Sequence, residues 1–324
     1  MKQRNSTVRL MFRYLLLWLC CWIAAERPPQ PPRAREALER ELLRLTESVD
    51  AQVGIAAVLG EGDTLTINDH PGYPMASVFK FHQALALLDS LDRAGLSADL
   101  PIGVGRSDLL PDTWSPLRDA RPEGGYSLSV AELLDYSIAR SDNNVCDLLF
   151  RFLGGPEAVG RYLRGLGFAD TAIAADEASM HRTPAVQFAN TTSPLDAVRL
   201  LERFRRGELL SPAGSELLLT VMLATVTGPD KLKGLLPPGA RVAHKTGSGL
   251  RDAQGIVAAD NDIGILFLPD GRTCSVAVFI ARSAEDDRTT AHTIAAIGRK
   301  IYDYLLAEGD ARRPHRASPA PDRP

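Results

Sequence analysis

Cysteine is scarce in this chain: four in 324 residues, two of them, Cys20 and Cys21, near the start. Cys146 and Cys274 are the other two. Two cysteines make no disulfide framework. They read better as a pair of buried small hydrophobes, with a single disulfide as the alternative. No Cys/His spacing of the zinc type occurs, so the sequence calls for no metal and no cofactor. Net charge is nearly absent too, with 37 basic against 40 acidic residues, a balance of -3. That gives no electrostatic footing for nucleic acid or an anionic membrane surface. Long apolar runs are missing apart from residues 14–25, too short to span a bilayer comfortably. No internal repeat is found.

Lys2, Arg4, Arg9 and Arg13 precede that apolar stretch, and small residues end it. A basic start, a short apolar core and Ala24-Ala25 read as an export leader over 1–25, with an uncleaved anchor as the alternative. Lipidation at Cys20 or Cys21 is disfavoured by Trp18 and Leu19 before them. Residues 26–34 are Pro- and Arg-rich and read as a linker, and 309–324 as a disordered tail. The composition between them, within a chain 45% hydrophobic, suits one large core or two lobes.

The local patterns divide that body. Residues 53–59 and 64–68 read as paired strands joined through Gly60 to Asp63. Helical signals follow: an apolar face ending at Gly95, a capping box at Ser129-Val130-Ala131-Glu132, and proline at the first helical position after Gly155 and Ser193. Short β-branched segments return at 241–245, 255–259, 263–268 and 274–281, with Asp270-Gly271 as a hairpin turn. A helix over 286–306 closes the body. The expected fold class is α/β: an antiparallel sheet flanked by helices in a lobe made of about 35–75 and 212–308. An all-helical lobe, about 76–211, is inserted, and a cleft between such lobes suits a ligand.

Three motifs occur in order: Ser77-Val78-Phe79-Lys80, Ser141-Asp142-Asn143 and Lys245-Thr246-Gly247. Ser77 opens a helix, where free N–H groups and the positive dipole end favour a developing anion. Lys80, three residues on, shares its face and can take a proton from serine if its own pKa is lowered. Taken alone, the pair also fits a capping serine and a surface lysine. Ser141 can relay a proton and Asn143 can hold an amide, while Ser-Asp-Asn also suits a helix cap. Lys245 follows an apolar strand and is expected to face a cleft or solvent. Thr246 and Ser248 add hydroxyls there, and Gly247 and Gly249 let a ligand approach the backbone. The Ser77 and Ser248 N–H groups suit an oxyanion hole.

Together the three motifs are those of class A β-lactamases and penicillin-binding proteins. Over residues 35–308 the chain resembles a class A serine β-lactamase. The resemblance implies a two-lobe serine β-lactamase/transpeptidase-like fold and a monomer. It also implies a secreted, periplasmic enzyme that hydrolyses small-molecule β-lactams, penicillins and cephalosporins, through an acyl-Ser77 intermediate. Acylation would use Lys80, or Glu177 through a water, and Glu177 would drive deacylation.

Asp147 and Asn190 stand where the family commonly has Asn and Asp. This exchange, and the run Glu177-Ala178-Ser179-Met180-His181, resemble the extended-spectrum PER-type branch. A loop-tethering hydrogen bond between those two positions is expected to survive reversed. Trp114 matches an aromatic that walls the cleft entrance, with a buried loop anchor as the alternative. Gln254 replaces the usual cation before Gly255, so Lys231 is the candidate partner of the substrate carboxylate, against an ordinary solvated lysine. A D,D-peptidase or penicillin-sensing domain that deacylates slowly is the rival reading.

Overall fold

The computed structural model describes residues 32–60 and 62–312. Two units separate by their contacts, Met1–Ala37 and Leu38–Pro324. The described part of the first is the opening of helix α1 (Pro32–Glu47). The expected leader over 1–25, and the parts of the expected linker and tail before 32 and beyond 312, lie outside the described residues. Residues 32–34 are already helical, so the linker ends sooner than expected. The last helix runs to Arg312, past the expected start of the tail at 309.

The second unit is built on strands β1 (Gln52–Gly60), β2 (Asp63–Ile67), β7 (Arg241–Ser248), β8 (Val257–Phe267) and β9 (Thr273–Ser283). They form one antiparallel sheet in the order β2-β1-β9-β8-β7. β8 and β9 are buried along nearly their whole length. Such strands read as continuous apolar runs because both faces of the sheet are covered. One face packs Ile55, Val278 and Ile280 against Leu42 and against Ile294, Ile297 and Ile301 of α10 (Asp287–Arg312). The other packs Ile263, Ile265 and Phe279 against Phe79 and Phe81 of α2 (Phe79–Ala94) and Phe204 of α8 (Pro194–Arg205).

Two expected strands, 255–259 and 263–268, prove to be the single β8. The polar run Asp260-Asn261-Asp262 reads as a break, yet each member is buried with partners waiting. Asp260 meets Lys231, Asn261 donates to the Pro74 and Met75 carbonyls, and Asp262 meets the His244 ring. A buried polar group that finds its partners costs little, so the ladder continues through it.

Between β2 and β7 the chain is mainly helical, with two short ladders. β3 (Tyr73–Pro74) pairs with β6 (Thr191–Thr192), and β4 (Pro101–Val104) with β5 (Tyr126–Ser129). Helices α3 (Pro116–Ala120), α4 (Val130–Leu134), α5 (Asn143–Leu153), α6 (Pro156–Gly165) and α7 (Glu177–Arg182) precede α8, and α9 (Pro212–Leu223) follows it. The Ser129 capping box forms in both directions, Glu132 N to Ser129 Oγ at 3.2 Å and Ser129 N to Glu132 Oε2 at 2.8 Å. The helix it opens widens to a π-turn at Asp135–Ala139, which delivers the chain to Ser141.

Candidate active site

Ser77 sits in a 3-10 turn, Ala76–Val78, that leads directly into α2. Ala76 before it holds φ 42, a left-handed conformation costly for a residue with a Cβ. The sheet keeps it there. Asn261 Nδ2 donates to the Pro74 and Met75 carbonyls at 2.9 and 3.1 Å, while its Oδ1 accepts from Ile280 N at 3.1 Å. Strand β7 crosses so close that a Cβ on Gly247 would lie 3.0 Å from the Ser77 and Val78 nitrogens. That approach needs the glycine of Lys-Thr-Gly.

One helical turn from Ser77, Lys80 is completely buried. Its Nζ is 2.8 Å from Ser77 Oγ, 2.7 Å from Asn143 Oδ1, 3.3 Å from the Ser141 carbonyl and 2.6 Å from Glu177 Oε1. Glu177 Oε1 is also 3.4 Å from Ser77 Oγ. A lysine can only donate, so Asn143 turns its oxygen to Lys80 and its Nδ2 to Thr113 Oγ1, 2.8 Å away. Ser141 has φ 58, and this kink presents its carbonyl to Lys80 and its hydroxyl to Lys245.

Lys245 departs from expectation. It reaches neither open cleft nor solvent but is fully covered, with Nζ donating to Ser141 Oγ at 2.9 Å and to the Thr246 carbonyl at 2.8 Å. Burial first, and then the charge of Lys80, push its pKa well below the usual lysine range. A lysine so placed sheds a proton more readily than one in water.

Glu177 begins α7, whose N-cap Asp176 accepts from Ser179 N at 2.7 Å. Asp147, on α5, accepts from Glu177 N and Ala178 N, both at 2.8 Å. Burial, followed by the charge of Glu177, raises the Asp147 pKa to about 7. Asn190 accepts from Ala174 N and Ala175 N at 2.8 and 2.9 Å and donates to the Ala175 carbonyl at 2.8 Å. The expected bond between Asp147 and Asn190 is therefore not made, and each instead holds loop backbone. Two carboxylate oxygens match two successive N–H groups at a helix start. An amide, with both donor and acceptor, matches extended chain that offers both.

β7 is an edge strand, and Ser248 lies opposite Asp260. Gly249 N donates to the Ala259 carbonyl, so by antiparallel alternation the Ser248 N–H turns away from β8, outward from the edge. A cleft is lined there by Ser77, Thr113, Asn143, Glu177, His181 and Ser248, among others. Trp114 stands outside that lining. It is 60% exposed, with its indole N–H donating to the Arg140 carbonyl at 2.9 Å, next to Ser141. Thr246 Oγ1 is 2.6 Å from Thr227 Oγ1.

Lys231 is the clearest correction. Its ammonium is not free for a substrate carboxylate, because Asp260 Oδ1 lies 2.6 Å away and both side chains are only 7% exposed. Three contributors escaped the sequence reading. Thr113 is an ordinary loop threonine with no local signal. Asp142 carried a signal inside its motif: fully buried, it accepts from Ser115 Oγ, Leu117 N and Val145 N and so sets the Ser141–Asn143 turn. Asn261 and its acidic neighbours were visible as polar residues in a strand and were read as a break.

Residues 36–305 match the profile described as "Beta-lactamase enzyme family". The chain is 38% identical over 314 residues to the extended-spectrum β-lactamase PER-1 of Pseudomonas aeruginosa, covering 96% of this chain and 100% of that protein. It is 36% identical to β-lactamase VEB-1 of the same organism, across 83% of this chain and 90% of the relative. The crystal structure of the TLA-1 extended-spectrum β-lactamase superposes with a TM-score of 0.81 at 44% identity, covering 84% of this chain and 99% of that one.

Proposed function

The chain belongs to the β-lactamase enzyme family, and from that premise we propose how the work is divided within its site. It is a class A β-lactamase, a hydrolase of β-lactam antibiotics whose activity confers resistance to them. Ser77 Oγ attacks the lactam carbonyl, and the Ser77 and Ser248 N–H groups hold the oxyanion. The Ser77 proton ends on Glu177, handed across Lys80 Nζ, which touches both groups, or carried through a water. As the C–N bond breaks, Ser141 passes a proton to the lactam nitrogen and is resupplied by Lys245 at 2.9 Å. Before deacylation Glu177 returns its proton, through water, to Lys245. Ionised again, it takes a proton from water as the hydroxyl adds to the ester and passes that proton to Ser77 Oγ as it leaves.

Asn143, Thr246 and Trp114 are assigned to substrate binding. Asp147 and Asn190 hold the Glu177 loop. Penicillins and cephalosporins are the proposed substrates, with oxyimino-cephalosporins following from likeness to extended-spectrum relatives. The basic residues before 14–25 support export to the periplasm, and a monomer with one catalytic body over 35–308 is proposed from the family resemblance. Among the described residues no helix is long and apolar enough to cross a membrane.

One contact carries the hydrolytic reading over a slow penicillin-binding one: Glu177 Oε1 sits 3.4 Å from Ser77 Oγ and 2.6 Å from Lys80 Nζ. Its test is a time-resolved mass spectrum with a penicillin. Wild type should turn over without accumulating adduct, while Glu177→Ala accumulates a covalent adduct on Ser77. A wild type that itself stays acylated overturns the assignment.

A further inference from the structure

Lys231, Asp260 and Ser248 form a closed set beside the cleft. Lys231 Nζ lies 2.6 Å from Asp260 Oδ1 and 3.0 Å from Ser248 Oγ. Ser248 Oγ donates to the same Asp260 oxygen at 2.8 Å. The other carboxylate oxygen, Oδ2, accepts from Thr290 Oγ1 of α10 at 2.6 Å. Lys231 also lies 3.5 Å from the Gly247 carbonyl and 3.4 Å from that of Asn261. Every strong interaction these groups offer is therefore spent inside the protein. Ser248 nonetheless lines the cleft, so its hydroxyl is the point where this set meets a substrate.

The charge balance makes the arrangement consequential. Lys80 faces Glu177, and Lys231 faces Asp260. That leaves Lys245 as the cation of the site with no carboxylate bonded to it, and its own pKa is lowered. A buried neutral pair exerts little pull on an anion outside it, whereas an unbalanced ammonium at the same distance attracts strongly.

We propose that Asp260 is a specificity-determining residue: it withholds the Lys231 ammonium and the Ser248 hydroxyl from the anionic substituent of a bound β-lactam. Recognition of that anion then rests on groups other than the Lys231 ammonium and the Ser248 hydroxyl, and the site tolerates substrates whose negative group is displaced or absent. The inference depends on the β-lactamase reading of the cleft.

The test compares a penicillin carrying its free carboxylate with its methyl ester, in steady state at about pH 6. Wild type, Asp260→Asn and the double variant Asp260→Asn/Lys231→Met are measured. Asp260→Asn should lower KM for the acid about three- to tenfold and leave KM for the ester unchanged. The double variant replaces a buried ion pair by a neutral pair, an exchange proteins commonly tolerate. It should return the acid-to-ester preference to within about twofold of wild type. A tenfold or greater loss of that preference in the double variant shows that Lys231 grips the carboxylate despite Asp260, and overturns the proposal. So does an equal change of KM for both compounds, or unchanged KM for both, in Asp260→Asn. A wild type that turns over neither compound overturns the reading of the cleft, and the proposal with it.

Discussion

Each lysine of the site is defined by what surrounds it. Lys80 and Lys245 are both wholly buried, yet one faces a carboxylate and the other a hydroxyl and a carbonyl. Asp147 shows the same dependence for an acid. Its pKa rises from 3.8 to about 7 through burial and the nearby Glu177 charge. A carboxyl whose folded pKa exceeds its unfolded one contributes stability present below about pH 4 and lost as pH climbs to about 7. The loss is on the order of 4 kcal/mol at most. Asp147→Asn lacks this titration, so its melting temperature relative to wild type should climb between about pH 4 and 7 and level off above. A difference that stays flat across that range would refute the assignment. Ser77, Lys80, Ser141 and Asn143 were legible because their spacing is itself the chemistry. The masking of Lys231 was not, because Asp260 is 29 residues away by number and adjacent only across the folded sheet.

Elements were legible where their ends carry signals. The Ser129 box, Ser193 and Ser211 as N-caps, and Gly95 at a left-handed C-cap all stand where local chemistry puts them. β8 was not legible, since its polar centre is paid for by partners on other elements. That centre also positions the nucleophile. Asn261→Ala would remove a partner from the Pro74 carbonyl and the Ile280 N–H and leave the Met75 carbonyl with Val78 N alone, and should cost about 2–4 kcal/mol, or roughly 5–10 °C in Tm. Its kcat should fall more than its KM rises, as the turn holding Ser77 loosens. Retention of full kcat in a folded Asn261→Ala protein would show that the turn holds itself. Gly247→Ala drives a methyl onto the Met75 carbonyl and the Ser77 turn, and should lower kcat/KM about 100-fold. Near-normal activity in that variant would mean β7 can move away freely.

For the whole molecule, the scarcity of cysteine has a structural counterpart. Cys146 and Cys274 are free thiols, both buried, and burial raises the pKa of each. Neither should react with a disulfide reagent in the native protein, and both should react on unfolding. A protein whose two thiols are absent after denaturation without reductant would contradict the free state. The sheet itself carries both bodies of core, one against α1 and α10, the other against α2 and α8.

By itself the sequence determined the chemistry and the element types, since motif spacing, caps and periodicity are local and leave their marks within a few residues. Tertiary structure alone decided which charges are balanced, which lysine is covered, and how the two loop tethers divide their bonds. Those depend on distances between residues far apart along the chain, which only the packed sheet and its helices set.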